Sequence, residues 1–352
     1  MREGGADLLN FSSNDYLGLA NDPRIRAAAL EAIETYGVGS GASPLVTGHS
    51  RVHQEAEEAF AHFVGLPRSL LFGSGYAANL GILATLADRH AEIFADKLNH
   101  ACLTDGAILS RARFTRYPHL DVGALATRLE ASTAAVRIVA TDAVFSMDGD
   151  VAPLAEMAAL CDRHEAWLVI DDAHGVGVLG RYGRGSLDNF ALASPRILHM
   201  ATLGKALGGY GAFVSGEAEV IEQLMQRART YMYSTALPPM AAAVAKRAVE
   251  LLVTDGAIVA RLHERIGEFR AACERQGVAL LPSSTAIQPI VVGSAARALE
   301  VSAKLRSAGF LVPAIRPPTV PEGTSRLRIS ISAAHARADV EALAAALARS
   351  LA

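Results

Sequence analysis

The chain has 352 residues, of which 51% are hydrophobic and 20% charged, with a formal net charge of −3. That is too much apolar content and too little net charge for a disordered chain. A pI near 6.4 gives no basic field for nucleic acid or an anionic membrane, so neither is an expected partner. The basic residues are four lysines (97, 205, 246 and 304) against 29 arginines. Chemistry that needs a lysine amine therefore has few candidates.

The length predicts about two domains. Cys102, Cys161 and Cys273 are far apart, odd in number and form no CxxC pair, which predicts reduced buried thiols rather than a disulfide or zinc frame. The first residues, MREGGADLLNF, lack the apolar core of a targeting segment. The long uncharged run QGVALLPSSTAIQPIVVGSAA is broken by Pro282, Ser283, Ser284, Gln288 and Pro289, so no membrane span is expected. A cytoplasmic α/β protein without a metal is the reading these features support.

In chain order, SLLFG (69–73) reads as a strand and YAANLGILATLADRH after it as a helix. VRIVA (136–140) and WLVI (167–170) read as strands on either side of the helical LAEMAALCDRHEA. Buried strands alternating with amphipathic helices predict a mainly parallel sheet sandwiched by helices. Beyond Met240 one long Ala-rich helical stretch (240–277) leads into strands AIQPIVVG and RLRISIS, and ALAAALARSLA closes the chain as a helix. The predicted organisation is a large domain over 38–240 and a smaller α+β domain over 241–352. Residues 1–37 form an N-terminal segment packing with the small domain.

Ligands of parallel α/β sheets gather beyond the carboxyl ends of the strands. Small residues after the first strand, Ser74-Gly75-Tyr76-Ala77-Ala78-Asn79, suit a helix N-terminus that binds an anion, or equally a tight packing turn. After 136–140, TDAVFSMDGD is a polar loop that fits either a turn or a site. After 167–170 come Asp171, Asp172 and His174, acids that burial would penalise without partners. An NTPase reading of those acids fails, because Gly204-Lys205 has His199 and Ala206 where a P-loop needs Gly and Ser/Thr. Lys205 lies among Thr202, Gly204, Gly208, Gly209 and Gly211, room for a flat ligand against the backbone. Lys246 and Lys304 read as solvated, which leaves Lys97 as the rival amine. One cofactor fits these parts, pyridoxal 5′-phosphate (PLP). It needs an amine for its aldehyde (Lys205), a carboxylate for its pyridine nitrogen (Asp171), a phosphate cradle (Gly75, Tyr76 and Thr202) and a flat partner for its ring (His100); His174 suits the ring hydroxyl.

Taken together, NFSSNDYLGL (10–19), FGSGYAANLG (72–81), DKLNHACLTDG (96–106), VFSMDGDVAPL (144–154), VIDDAHGVGVLGRYGRG (169–185), TLGKALGGYGAF (202–213), YSTALPP (233–239) and AIRPPTVPEGTSRLRISISAAH (314–335) resemble the α-oxoamine synthases, fold-type I PLP enzymes. The resemblance spans nearly the whole chain. It implies Lys205, Asp171, His174 and His100 as the catalytic set. It further implies Ser146 near the ring hydroxyl, and Thr235 reaching the phosphate from the second subunit of a homodimer. Arg328 would grip the amino-acid carboxylate with Asn14 beside it, and Arg316 would lie near the acyl substrate. AIRPPTVP and RLRISISAAH are most similar to members that join L-alanine to a pimeloyl thioester of CoA or an acyl carrier protein. Relatives using glycine with acetyl-CoA or succinyl-CoA, or serine with a long-chain acyl thioester, are the nearest alternatives. A non-catalytic binding protein is opposed by the complete lysine, aspartate and histidine set, and a nicotinamide enzyme by the lack of G-x-G-x-x-G at a first strand–helix turn. The chain departs from the family in three ways: a short segment before NDYLGL, Asp142-Ala143 where Glu and a small residue are usual, and His199 in an otherwise apolar strand, read as a strand histidine and not a ligand.

Overall fold

The computed structural model describes residues 2–3 and 6–352; Met1, Gly4 and Gly5 of the predicted N-terminal segment lie outside them. Two compact units emerge, one of residues 19–145 with 152–255, the other of residues 1–18 with 146–151 and 256–352.

The first unit is built on a seven-stranded sheet: β1 (Arg68–Phe72), β2 (Ala91–Asp96), β3 (Arg113–Tyr117), β4 (Val136–Asp142), β5 (Trp167–Asp171), β6 (Ile197–Thr202) and β7 (Ala212–Gly216). The order is β1-β7-β6-β5-β4-β2-β3. β7 runs antiparallel to both its neighbours, and every other pairing is parallel. The central strands are buried on both faces, which is why they read as continuous apolar runs. Edge strand β3, RFTRY, is polar and partly exposed, as an edge that must not template further pairing should be.

Side chains leave a strand alternately to its two faces, and two cores result. Ile93, Ile138, Val169 and Leu198 pack with Ala78, Ile82 and Leu83 of α3 (Gly75–Leu86) and Leu103 and Ala107 of α4 (Ala101–Ser110). Their sequence neighbours Phe94, Val139, Leu168 and Ile170 meet Leu125 and Leu129 of α5 (Val122–Ala131) and Leu154, Met157 and Leu160 of α6 (Leu154–Arg163).

The predicted 240–277 helix is two helices, α8 (Pro239–Thr254) and α9 (Ala257–Arg275), interrupted at Asp255-Gly256. α8 packs on α1 (Pro23–Tyr36) and α2 (Arg51–Val64). Compact units therefore divide at 18 and 255, where the sequence pattern suggested 37 and 240. Periodicity reveals an apolar helix face but not what covers it. Between these helices, α7 (Ala218–Arg227) packs against α3, β1 and β7.

The second unit has a three-stranded antiparallel sheet, β8 (Ile287–Gly293), β9 (Ala314–Ile315) and β10 (Ser325–Ser330), in the order β8-β10-β9. With it go α9, α10 (Ala295–Ser307) and α11 (Arg337–Leu351). Leu9–Asn10 pairs in parallel with Phe310–Leu311, and the buried Phe11 stacks on His335 at 4.0 Å. Ser283 Oγ donates to the Gly149 carbonyl at 2.8 Å, tying 146–151 into this unit. Among the described residues no helix is long and apolar enough to cross a membrane, and no cluster of three His, Cys, Asp or Glu side chains could hold a metal ion.

Candidate active site

In the first unit, Asp171 is the last residue of β5 and is 3% exposed. A buried carboxylate needs donors. Asn79 supplies one, Nδ2 to Oδ2 at 2.7 Å, and the Ala173 N–H another, to Oδ1 at 3.0 Å. Asn79 lies on α3 four residues after Gly75, hence on the same helix face.

The adjacent Asp172 has a different task. Its Oδ2 accepts from His199 Nε2 at 2.8 Å and from the Ser186 N–H and hydroxyl at 2.6 and 2.9 Å, all buried. It thereby fastens the loop that carries His174. Gly175 is required in that loop, since a Cβ there would lie 1.8 Å from Asp172 Oδ1. His199 is indeed a strand residue, on β6, and serves Asp172.

The loop brings His174 Nε2 to 2.9 Å from Lys205 Nζ. Lys205 follows β6 in a turn closed by Leu203 N–H to Gly211 O (2.9 Å) and Gly208 N–H to Lys205 O (2.9 Å). Gly208 has φ +65°, and a Cβ on it would sit 2.4 Å from the Ala20 nitrogen; only glycine fits both demands. Thr202 Oγ1 donates to the Gly211 carbonyl at 3.1 Å. The rival Lys97 is exposed in the turn after β2.

Gly75 and Tyr76 open α3, whose N-cap Ser74 accepts from the Ala77 N–H at 3.1 Å. Their own N–H groups belong to the first turn, which has no intrahelical acceptors and favours an anion. The Tyr76 hydroxyl donates to Asp105. His100 is the N-cap of α4, with Nδ1 2.8 Å from Cys102 Sγ. Cys102 Sγ lies 3.8 Å from Asp171 Oδ2, and burial pushes this thiol up, with the charge of Asp171 adding to the effect. The structure thus joins Asp171, Asn79, Cys102 and His100 in one chain of contacts, and Lys205 and His174 in another. Thr235 stands exposed before α8. A fixed carboxylate, an amine beside an imidazole and a helix N-terminus in one unit fit PLP.

In the second unit, Arg328 on β10 is 6% exposed. Its Nε donates to the Ser146 carbonyl (2.5 Å), Nη1 to Ser330 Oγ (3.0 Å) and Asn14 Oδ1 (3.2 Å), and Nη2 to Tyr16 Oη (3.4 Å). Every one of these acceptors is neutral. Arg326, two residues earlier on the same strand face, is instead ion-paired with Asp148. A buried guanidinium with only neutral acceptors is suited to an incoming carboxylate. Burial pushes the Tyr16 phenol up to about 12 against the opposing pull of Arg328, and its hydroxyl donates to Asn14 Oδ1 at 3.1 Å. Asn14, Ser146 and Arg328, predicted from sequence, are therefore together, although Ser146 takes part through its backbone carbonyl. Arg316 is exposed just after β9.

Sequence reasoning missed Asn79 and Tyr16. A lone amide in the otherwise apolar GYAANLGILATL was the available signal for Asn79; nothing in the sequence marks Tyr16 as a partner of Arg328.

Residues 6–347 match the family model for aminotransferase class I and II. The 8-amino-7-oxononanoate synthase of Nitrosospira multiformis is 53% identical over 343 residues, 97% of this chain and 87% of that protein. The enzyme of the same name from Nitrosomonas europaea is 54% identical over 346 residues, covering 97% and 89%. Among solved structures, the Francisella tularensis 8-amino-7-oxononanoate synthase aligns with TM-score 0.83 at 30% identity, covering 97% of each chain. A structure of SPT with PLP aligns at 0.94 with 30% identity, covering 99% of this chain and 88% of that one. With so much of its length matched, the chain belongs to the aminotransferase class I and II family, among relatives named 8-amino-7-oxononanoate synthase.

Proposed function

We propose that the chain condenses L-alanine with a pimeloyl thioester, of CoA or an acyl carrier protein, to 8-amino-7-oxononanoate, releasing the thiol and carbon dioxide in biotin biosynthesis. PLP is the cofactor. The observation that carries the catalytic part is Lys205 Nζ at 2.9 Å from His174 Nε2, in the unit where Asp171 is fixed by Asn79. Substrate identity rests on the relatives' names and their 53–54% identity.

When bound, PLP supplies an electron sink for the substrate Cα. The chain's own residues do the rest. Asp171 as a carboxylate holds a proton on the pyridine nitrogen. Gly75 and Tyr76 N–H groups, Thr202 and the second subunit's Thr235 bind the phosphate. His100 would stack on the ring, and His174 and Ser146 are the residues assigned to its hydroxyl. Lys205 Nζ takes the proton from the alanine Cα as general base. Arg328 with Asn14 binds the alanine carboxylate and so sets which Cα bond is broken; Arg316 serves the acyl substrate. The unit of residues 19–145 with 152–255 is the cofactor-binding domain on this reading. We place the enzyme in the cytoplasm as a homodimer; its three free, buried cysteines suit a reducing compartment.

Substrate choice is tested by giving the purified protein L-alanine, glycine or L-serine with pimeloyl, acetyl, succinyl and palmitoyl thioesters and measuring thiol release. Alanine with pimeloyl thioester is expected to be fastest. Turnover only with glycine and a short acyl group, or with serine and palmitoyl thioester, would replace this reading with that of another α-oxoamine synthase.

A further inference from the structure

At the carboxyl end of the sheet, three hydrogen bonds fasten the turn before α4 to the end of β4. Asn99 Nδ2 donates to the Ala140 carbonyl at 2.7 Å, and the Asp142 N–H donates to Asn99 Oδ1 at 3.2 Å. The His100 N–H donates to Asp142 Oδ2 at 2.7 Å. Asp142 is 4% exposed and stands opposite Asp171 in the β4–β5 register. His100, as N-cap, has its backbone orientation set by this clamp, and that orientation aims its Cα–Cβ bond. Cys102 Sγ, 2.8 Å from Nδ1, then restricts the ring's rotation.

We propose that Asp142 is a positioning residue for His100, fixing the placement of the imidazole by holding its backbone N–H at the end of β4. The proposal rests on His100 being the residue that lies against the cofactor ring. The chemistry of the clamp specifies its mimic. Burial, and then the charge of Asp171, push the Asp142 carboxyl well above the ordinary carboxylate range. Asn keeps both the shape and the acceptor oxygen; Ala removes the acceptor of the His100 N–H.

The test compares D142N, D142A, H100A and the D142A/H100A double variant. Cofactor affinity is measured by titrating apoprotein with PLP, the bound state by visible circular dichroism, and folding by thermal melting. D142N is expected to stay within about threefold of the parent in affinity and keep its dichroism, whereas D142A loses about tenfold, the size of effect of one lost hydrogen bond. If Asp142 acts through His100, the double variant is no worse than H100A, because effects on one shared contact do not add. Additive losses, or a folded D142A that matches the parent, overturn the proposal while leaving the reading of His100 intact. An H100A protein with parental affinity and dichroism overturns both. Should D142A fail to fold, N99A breaks the clamp from the other side, and its loss must likewise vanish in the H100A background.

Discussion

At position 142 a carboxyl group meets opposing demands. It must accept the His100 N–H at 2.7 Å, yet it is buried and faces Asp171 across neighbouring strands. Both burial and Asp171 raise its pKa in the folded protein, so the native state holds this proton more tightly than the unfolded chain does. The contribution to stability is then largest at acid pH and declines as pH rises from the ordinary carboxylate value toward the raised native one, each unit of separation being worth about 1.4 kcal/mol. The prediction is that D142N, which cannot ionise, gains melting temperature relative to the parent as pH is raised from 4 to 8. Melting curves whose separation stays constant over that range would refute it. Neighbouring residues show how little of this is local. Asp171 and Asp172 are adjacent and chemically identical, yet one takes Asn79 as its donor while the other binds His199 and Ser186.

Elements were the most legible level. Runs at 69–73, 136–140 and 167–170 became β1, β4 and β5 at 68–72, 136–142 and 167–171, because a strand buried on both faces has to be apolar throughout. The helix expected after the first strand is α3, and its beginning depends on Ser74. That side chain satisfies the Ala77 N–H and leaves the N–H groups of Gly75 and Tyr76 for an anion. Ser74→Ala should cost about 1 kcal/mol of stability and weaken PLP binding as well. Urea unfolding of apoprotein and cofactor titration measure the two losses; a variant unchanged in both would show that the cap does not organise this turn. The break at Asp255-Gly256 was less legible, since both flanking stretches carry helical periodicity and Ala-rich composition. What separates them is their covering: α8 packs on α1 and α2, while α9 packs on α11.

For the molecule as a whole, burial decides the behaviour of its thiols. Cys102, Cys161 and Cys273 are all free and buried. Burial pushes Cys161 and Cys273 up to about 12, and Cys102 further in the same direction. Since thiolate is the reactive form, native protein at pH 8 should show no rapidly reacting thiol toward an aromatic disulfide reagent, and three after denaturation. A thiol titrating within minutes in the folded state would contradict that burial.

By itself the sequence determined the chemical inventory and its order: the residues that follow each strand, a lysine in a glycine-rich turn, an Asp-x-x-His, and an apolar pattern that admits a parallel sheet. These are local properties, readable because strand ends and turns impose residue types on short stretches. Partners were decided by tertiary structure alone. Arg326 and Arg328 stand two residues apart in RLR, and no local pattern separates them. Arg326 is neutralised by Asp148, 178 residues away, whereas among the described residues Arg328 meets only the neutral oxygens of Asn14, Tyr16, Ser146 and Ser330. The available charge at Arg328 follows from which distant segments fold against β10, and so it appears only once the chain is folded.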